Sequence, residues 1–357
     1  MKIYIKFIVS LFFKSFFYVL VVMTSLVFIL NLLAEIDFFR DLNIGASYTL
    51  FLSFLNSPDM IFEMFPFIFL LTTQLFFIKL LKNNEIDVLK YSGLKNSKIL
   101  FILSIVSFIS GVLIIIFFYN FSSNLKNIYL ELKSKYTVDG KYLAVVTKNG
   151  LWIRDKINNK ILVINSSKIE NNYLIGNFIT EFDSEYNVLR NIKSDKINIT
   201  NKEWLIYDGK IFNKNNYELK SEIKLLTNFD YKRIQTLYSN LSSLNILELY
   251  ELKKNYEKLN YSTTEVNLQL LRLITVPIYL FLMTIFASLI MFKIRRLENT
   301  TLNISLGLFF SVIIYYINNF FFVLGSTERI SVTISIFLPL LLLTMTNGLM
   351  INKINEK

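Results

Sequence analysis

The sequence predicts an α-helical polytopic membrane protein with six transmembrane helices and an all-β domain, a sandwich or jelly roll, inserted between the third and the fourth. Three observations predict it. Hydrophobic residues fill 53% of 357 positions, 34 of them Phe, a composition of membrane-embedded chains. Six stretches reach the ~20 apolar residues that a bilayer crossing needs. The segment between the third and fourth stretches changes instead to short alternating runs, the period of half-buried strands.

The first predicted span runs over 8–33. It is too long for the apolar core of a signal peptide, and no small-residue cleavage site follows, so it is expected to be retained. Spans over 60–81 and 99–119 complete a first membrane block, 1–119. Residues 120–242 are then expected to form the β domain. Leu151–Arg154, Ile161–Ile164, Tyr173–Phe182, Lys196–Thr200 and Trp204–Tyr207 alternate apolar with polar residues. Turn residues separate them at Asn158-Asn159, Asp208-Gly209 and Asn213 to Asn216. Residues 243–262 read as a connecting helix with Ser243 as its N-cap. Spans over 268–292, 302–324 and 332–351 close the second membrane block, 263–357.

Basic residues orient the spans. Lys2, Lys6, Lys14, Lys79, Lys82, Lys90, Lys95, Lys98, Lys293, Arg295, Arg296, Lys353 and Lys357 share one side, and only Arg40 and Arg329 lie in the opposite short loops. Both termini are thus expected in the cytoplasm and the β domain outside, on the opposite side of the membrane.

Composition also excludes. There is no Cys and no His, hence no thiolate nucleophile, no imidazole base and no thiol or imidazole metal site. No catalytic residue, metal or cofactor is expected. The net charge of +11 comes mostly from Lys in a chain also rich in Asn and Ile; no nucleic-acid partner is read from it. Gly140-Lys141 and Gly209-Lys210 lack the surrounding pattern of a phosphate-binding loop. Energy for any work must come from a partner or an ion gradient, and the near absence of acids inside the spans weighs against a proton relay.

Two places could carry function. In the loop Asn83–Gly93, Asn84 is expected to cap a short helix with Glu85 and Asp87 in its first turn and Gly93 just past its end. Ile86, Leu89 and Lys90 fall on one side. The loop is either an ordinary solvated connection or a coupling helix for a soluble motor. The second place is the opposite membrane surface. Arg40, Lys126, Lys133, Lys135 and Arg272 either snorkel to bulk lipid phosphate or line an opening that holds an anionic lipid headgroup. Asn318 and Asn319 read as helix–helix hydrogen-bonding residues, and Trp152 and Trp204 as β-domain core.

With these residues in order, the chain resembles the LptF/LptG permease family, the membrane subunits of the lipopolysaccharide exporter. The likeness rests on Ser57-Pro58 and Phe65-Pro66, on Asn84-Glu85-Ile86 through Ser92-Gly93-Leu94, on Arg272 with Pro277, and on Gly307, Tyr315, Leu324-Gly325 and Pro339. The run Asn149-Gly150-Leu151-Trp152-Ile153-Arg154-Asp155, with Glu181-Phe182-Asp183 and Trp204, looks like the LptG subunit. The resemblance implies pairing with an LptF-type permease, a cytoplasmic LptB-type ATPase dimer, LptC and LptA bridge proteins, and lipopolysaccharide as cargo. It implies ATPase coupling through Glu85, Ile86, Asp87, Leu89 and Gly93. Family members often carry Lys late in span one; here Leu33-Ala34-Glu35-Ile36-Asp37 precedes the first basic residue, Arg40. Headgroup contact is then expected at Arg40, Lys133 or Lys135, or with a differently charged lipid. The competing class is a membrane-tethered periplasmic sensor that needs no ATPase. A lipoprotein-releasing permease is disfavoured by the six spans, and an enzyme by the lack of any catalytic constellation.

Overall fold

A computed structural model of the chain describes residues 3–40, 44–134, 136, 151–157, 160–170, 172–213, 216–231, 234, 240–259, 262–294 and 300–355. It divides into two compact units, Met1–Lys126 with Thr264–Lys357, and Asn127–Thr263.

The first unit is helical. Its elements are α1 (Ile3–Phe38), α2 (Ala46–Lys82), the short α3 (Glu85–Tyr91) and α4 (Asn96–Leu113). A π-helical segment, Ile114–Tyr119, joins α4 to α5 (Asn120–Ser134), whose later part belongs to the second unit. After the β domain come α6 (Ile246–Leu259), α7 (Thr264–Ile294), α8 (Thr300–Ser326) and α9 (Val332–Asn355). Among the described residues, six helical stretches are long and apolar enough to cross a membrane. Val332–Ile351 coincides with its predicted segment, whereas α2 begins fourteen residues earlier than predicted because 46–59 breaks its apolar residues with Ser, Thr, Asn and Asp.

The α1 face turned inward is a stripe of Ile8, Phe12, Ser15, Val19, Met23, Val27, Asn31 and Glu35. Steps of three and four keep these on one side of a helix. Phe12 meets Phe69 and Phe76 of α2 at ring distances of 6.2 and 6.3 Å. A second core joins Leu70 of α2 to Leu282, Met283, Phe286, Ala287 and Ile290 of α7 and to Leu340 and Leu343 of α9. Small residues let backbones approach: a Cβ on Gly111 of α4 would stand 2.8 Å from Pro277 Cα of α7. Ser107 and Thr284 hydrogen-bond across the same contact at 2.8 Å. Pro58, Pro66, Pro277 and Pro339 all lie inside helices.

The second unit holds one antiparallel sheet: β1 (Leu151–Ile157), β2 (Lys160–Glu170), β3 (Tyr173–Phe182), β4 (Val188–Asn198), β5 (Glu203–Asn213) and β6 (Asn216–Leu226), in that spatial order. The inserted β domain is therefore present. Its described strands run up and down, each paired with its chain neighbours, because every connection is too short to cross over. Ile164, Leu174, Ile179, Ile192, Ile197 and Trp204 form its fully buried face. The Trp204 indole donates to the Phe229 carbonyl at 2.8 Å.

Three local expectations are corrected. Asp208-Gly209 is not a turn but a kink within β5: Asp208 takes the left-handed conformation (φ 47°), tolerable for Asp, and Ile223 fills the space over Gly209. Trp152 is exposed while Trp204 is buried, since the two fall on opposite faces. Ser243 lies in a 3-10 turn; α6 is started by Asn245, whose Oδ1 accepts from Glu248 N while Glu248 Oε2 accepts from Asn245 N, both at 3.0 Å, a reciprocal capping box. The expected turn at Asn158-Asn159 and the pair Asn149-Gly150 lie outside the described residues.

Candidate functional site

The loop between α2 and α4 folds into α3, anchored on one side. Ile86 and Leu89 are buried, as is Leu94 beyond the helix end. Burying two such side chains is worth about 1.5–3 kcal/mol each, enough to hold a seven-residue helix that could not stand alone in water. Gly93 ends it as expected. At φ 82° it takes the left-handed conformation, its N–H donates to Lys90 O at 2.9 Å, and Leu94 N–H reaches back to Leu89 O at 3.1 Å. That double closure, with Leu94 packed inward, is a Schellman stop. Asn84 does not cap with its side chain. It sits at φ 56° and ψ 16°, and this left-handed residue is what turns the chain from α2 into α3.

The other face of α3 carries Val88 and Tyr91, 66% and 92% exposed, which is unusual for apolar side chains on so short a helix. Glu85 and Asp87 are half-buried beside them. Glu85 Oε1 accepts from the Asn83 amide at 3.4 Å, while Oε2 is buried without a hydrogen bond among the described residues. Leaving a carboxylate oxygen buried without a donor costs free energy.

The opposite end of the helical unit is built differently. Asp59 and Glu63 stand one turn apart on α2, and each meets a cation from another helix. Lys126 of α5 pairs with Asp59 at 3.2 Å and donates to Asn56 Oδ1 at 2.6 Å. Asn56 in turn donates to Asn31 Oδ1 at 3.0 Å, and Asn31 to the Ser53 carbonyl at 2.9 Å. This chain ties α1, α2 and α5 together through polar groups at an apolar depth, where unpaired polar atoms are costly. The π-helical segment ahead of α5 places Phe118 and Tyr119 on Phe65 and Phe62 of α2 at 5.1 and 5.0 Å; the turn-widening of a π segment sets the helix rotation that brings Lys126 to α2. Arg272 of α7 pairs with Glu63 at 3.2 Å and lies over the Phe322 ring at 5.5 Å.

Of the predicted cations, the structure thus brings Lys126 and Arg272 onto α2, each met by an acid. Arg40 follows α1 and is exposed. Lys133 is buried in the other unit, donating to the Tyr129 hydroxyl at 2.8 Å. Lys135 lies outside the described residues. Sequence reading missed Asp59 and the Asn31–Asn56 link. The signal was available: two acids at i and i+4 beside Pro58 and Pro66, inside an otherwise apolar helix.

Glu181-Phe182-Asp183 also acquires a setting. Glu181 is buried and pairs with Arg190 at 2.5 Å and with Lys160 at 3.8 Å. Asp183 accepts from Asn187 N at 2.9 Å and Asn187 Nδ2 at 3.0 Å across the β3–β4 turn, and these bonds hold its carboxyl below the usual carboxylate range. The motif therefore staples a hairpin.

The family model described as "Lipopolysaccharide export system permease LptF/LptG" matches residues 6–353, nearly the whole chain. No curated protein matches it.

Proposed function

The chain belongs to the LptF/LptG family of lipopolysaccharide export permeases, and from that premise we propose that it is the LptG-type subunit of an ATP-driven exporter. In this reading it pairs with an LptF-type subunit, extracts lipopolysaccharide from the periplasmic leaflet of the inner membrane and passes it to LptC and LptA through its β domain. Both termini face the cytoplasm. An LptB-type ATPase dimer supplies the energy, with one ATPase subunit docked on α3.

One observation carries the coupling role: α3 is fixed on its inner side by Ile86, Leu89 and the Gly93 stop, while Val88 and Tyr91 face outward for a partner with the half-buried Glu85 beside them. A rigid helix with an apolar patch and an acid transmits a push that a solvated loop would dissipate. Cargo phosphates are proposed to meet the cations at the far end. Arg40 is the exposed one and Lys126 contributes within its pair with Asp59; Lys133 and Lys135 are proposed from their place in the chain alone. The sensor reading has no use for the outward patch of α3.

Depletion of the chain in growing cells tests the function. Newly made lipopolysaccharide is expected to accumulate in the inner membrane. Delivery to the cell surface at an undiminished rate would refute the export role.

A further inference from the structure

Two cavities adjoin inside the helical unit, with Tyr279 and Asn318 as walls of both. The first encloses 680 Å³ between α7, α8 and α9 and is lined by apolar side chains such as Phe286, Ile290, Phe310 and Leu343. The second, 460 Å³, lies at the other end, where α2 joins the wall, and Glu63 and Arg272 line it with Tyr315. Each volume falls within the roughly 300–1,000 Å³ of small-molecule sites. Both ions keep access, with 48% and 33% of their side chains exposed.

The layout is that of an amphiphile: charge at one end, apolar walls at the other. Length agrees. From Arg272 to Phe286 is fourteen residues of α7, about 21 Å at 1.5 Å per residue. One leaflet with its headgroups is half of the roughly 40–45 Å bilayer. The charge decides the class. Arg272 alone would suit any phosphate, but Glu63 beside it makes the site neutral in sum. A polyanionic headgroup gains from the guanidinium and loses against the carboxylate. A headgroup with one phosphate and one ammonium matches both ions.

We propose that this cleft holds one zwitterionic glycerophospholipid as a resident lipid, its phosphate on Arg272, its ammonium on Glu63 and an acyl chain against Phe286 and Phe310. The site is complete within one chain and does not depend on the export reading.

The test is native mass spectrometry of the full chain in mild detergent, titrated with dioleoyl phosphatidylethanolamine or dioleoyl phosphatidylglycerol. The wild type is expected to retain the zwitterionic lipid about tenfold better, the worth of one well-placed charged hydrogen bond. Glu63→Gln, nearly isosteric, frees Arg272 and is expected to shift the preference toward phosphatidylglycerol. Ile314→Trp fills the apolar chamber and is expected to weaken both lipids; Thr346→Phe repeats that test on another helix should the first variant not fold. Equal retention of the two lipids by the wild type overturns the proposal, as does a preference unchanged by Glu63→Gln. Displacement of phosphatidylethanolamine by lipopolysaccharide would also overturn it, making the cleft a cargo subsite.

Discussion

Within the helical unit, α7 and α8 are consecutive, both predominantly apolar and both long enough to cross a bilayer, yet 78% of an apolar stretch of α7 is buried against 11% for α8. The inward residues differ in size. Thr284, Ala287 and Ser288 of α7 are wholly buried, and opposite them Gly111 lets Pro277 come close. On α8, Phe309, Tyr316 and Phe320 point outward, each at least 60% exposed. Lipid tails are as apolar as Leu, so helices associate through close packing and hydrogen bonds rather than through hydrophobicity. A span with small residues becomes core; one with a sheath of aromatics becomes a surface for the bilayer or another subunit.

The comparison breaks most visibly at the α4–α7 contact. Gly111→Leu drives a side chain into the Pro277 backbone, which cannot yield. A loss at or above the upper end of the roughly 1–3 kcal/mol for overpacking is expected, read as a fall in the thermal midpoint of the detergent-purified chain. An unchanged midpoint would mean that α7 is not held by close approach. Next comes Asn347→Leu, which deletes the 3.1 Å bond from α9 to the Leu282 carbonyl of α7; about 1 kcal/mol is expected. The hydroxyl pair Ser107–Thr284 is smaller still. A double-mutant cycle with Ser107→Ala and Thr284→Val is expected to give a coupling near 0.6 kcal/mol, and a zero coupling would remove hydrogen bonding from the account of α7. Smallest is Phe320→Ala on α8, which should leave the isolated chain within about 0.5 kcal/mol. A loss equal to that at Gly111 would show α8 to be core after all.

Much of this was readable from residues. Six apolar runs, the change of period at the inserted domain and the Gly93 helix stop follow from spacing and from glycine's tolerance of positive φ. Which spans become core was not readable, since hydropathy does not distinguish an apolar residue facing protein from one facing lipid. β6 went unread because, of NYELKSEIKLL, only Ile223 and Leu225 are buried, leaving almost no alternation to see. Asp208-Gly209 has turn chemistry but sits where neighbouring strands dictate a kink. At the candidate site, the fixed face of α3 was legible in Ile86 and Leu89. The pairing of Lys126 with Asp59 was not: it depends on a π segment that the run Ile114–Tyr119 does not announce.

The central claim is that this permease is driven through α3, and one experiment addresses it directly. The tagged full chain is purified from detergent-solubilised membranes as wild type and as Glu85→Lys, and co-purifying proteins are identified by mass spectrometry. The account predicts that an ATPase subunit comes with the wild type and is lost, at least about tenfold, from a variant that remains monodisperse. A wild-type chain that carries no ATPase, or a Glu85→Lys chain that retains it fully, would contradict the coupling role of α3.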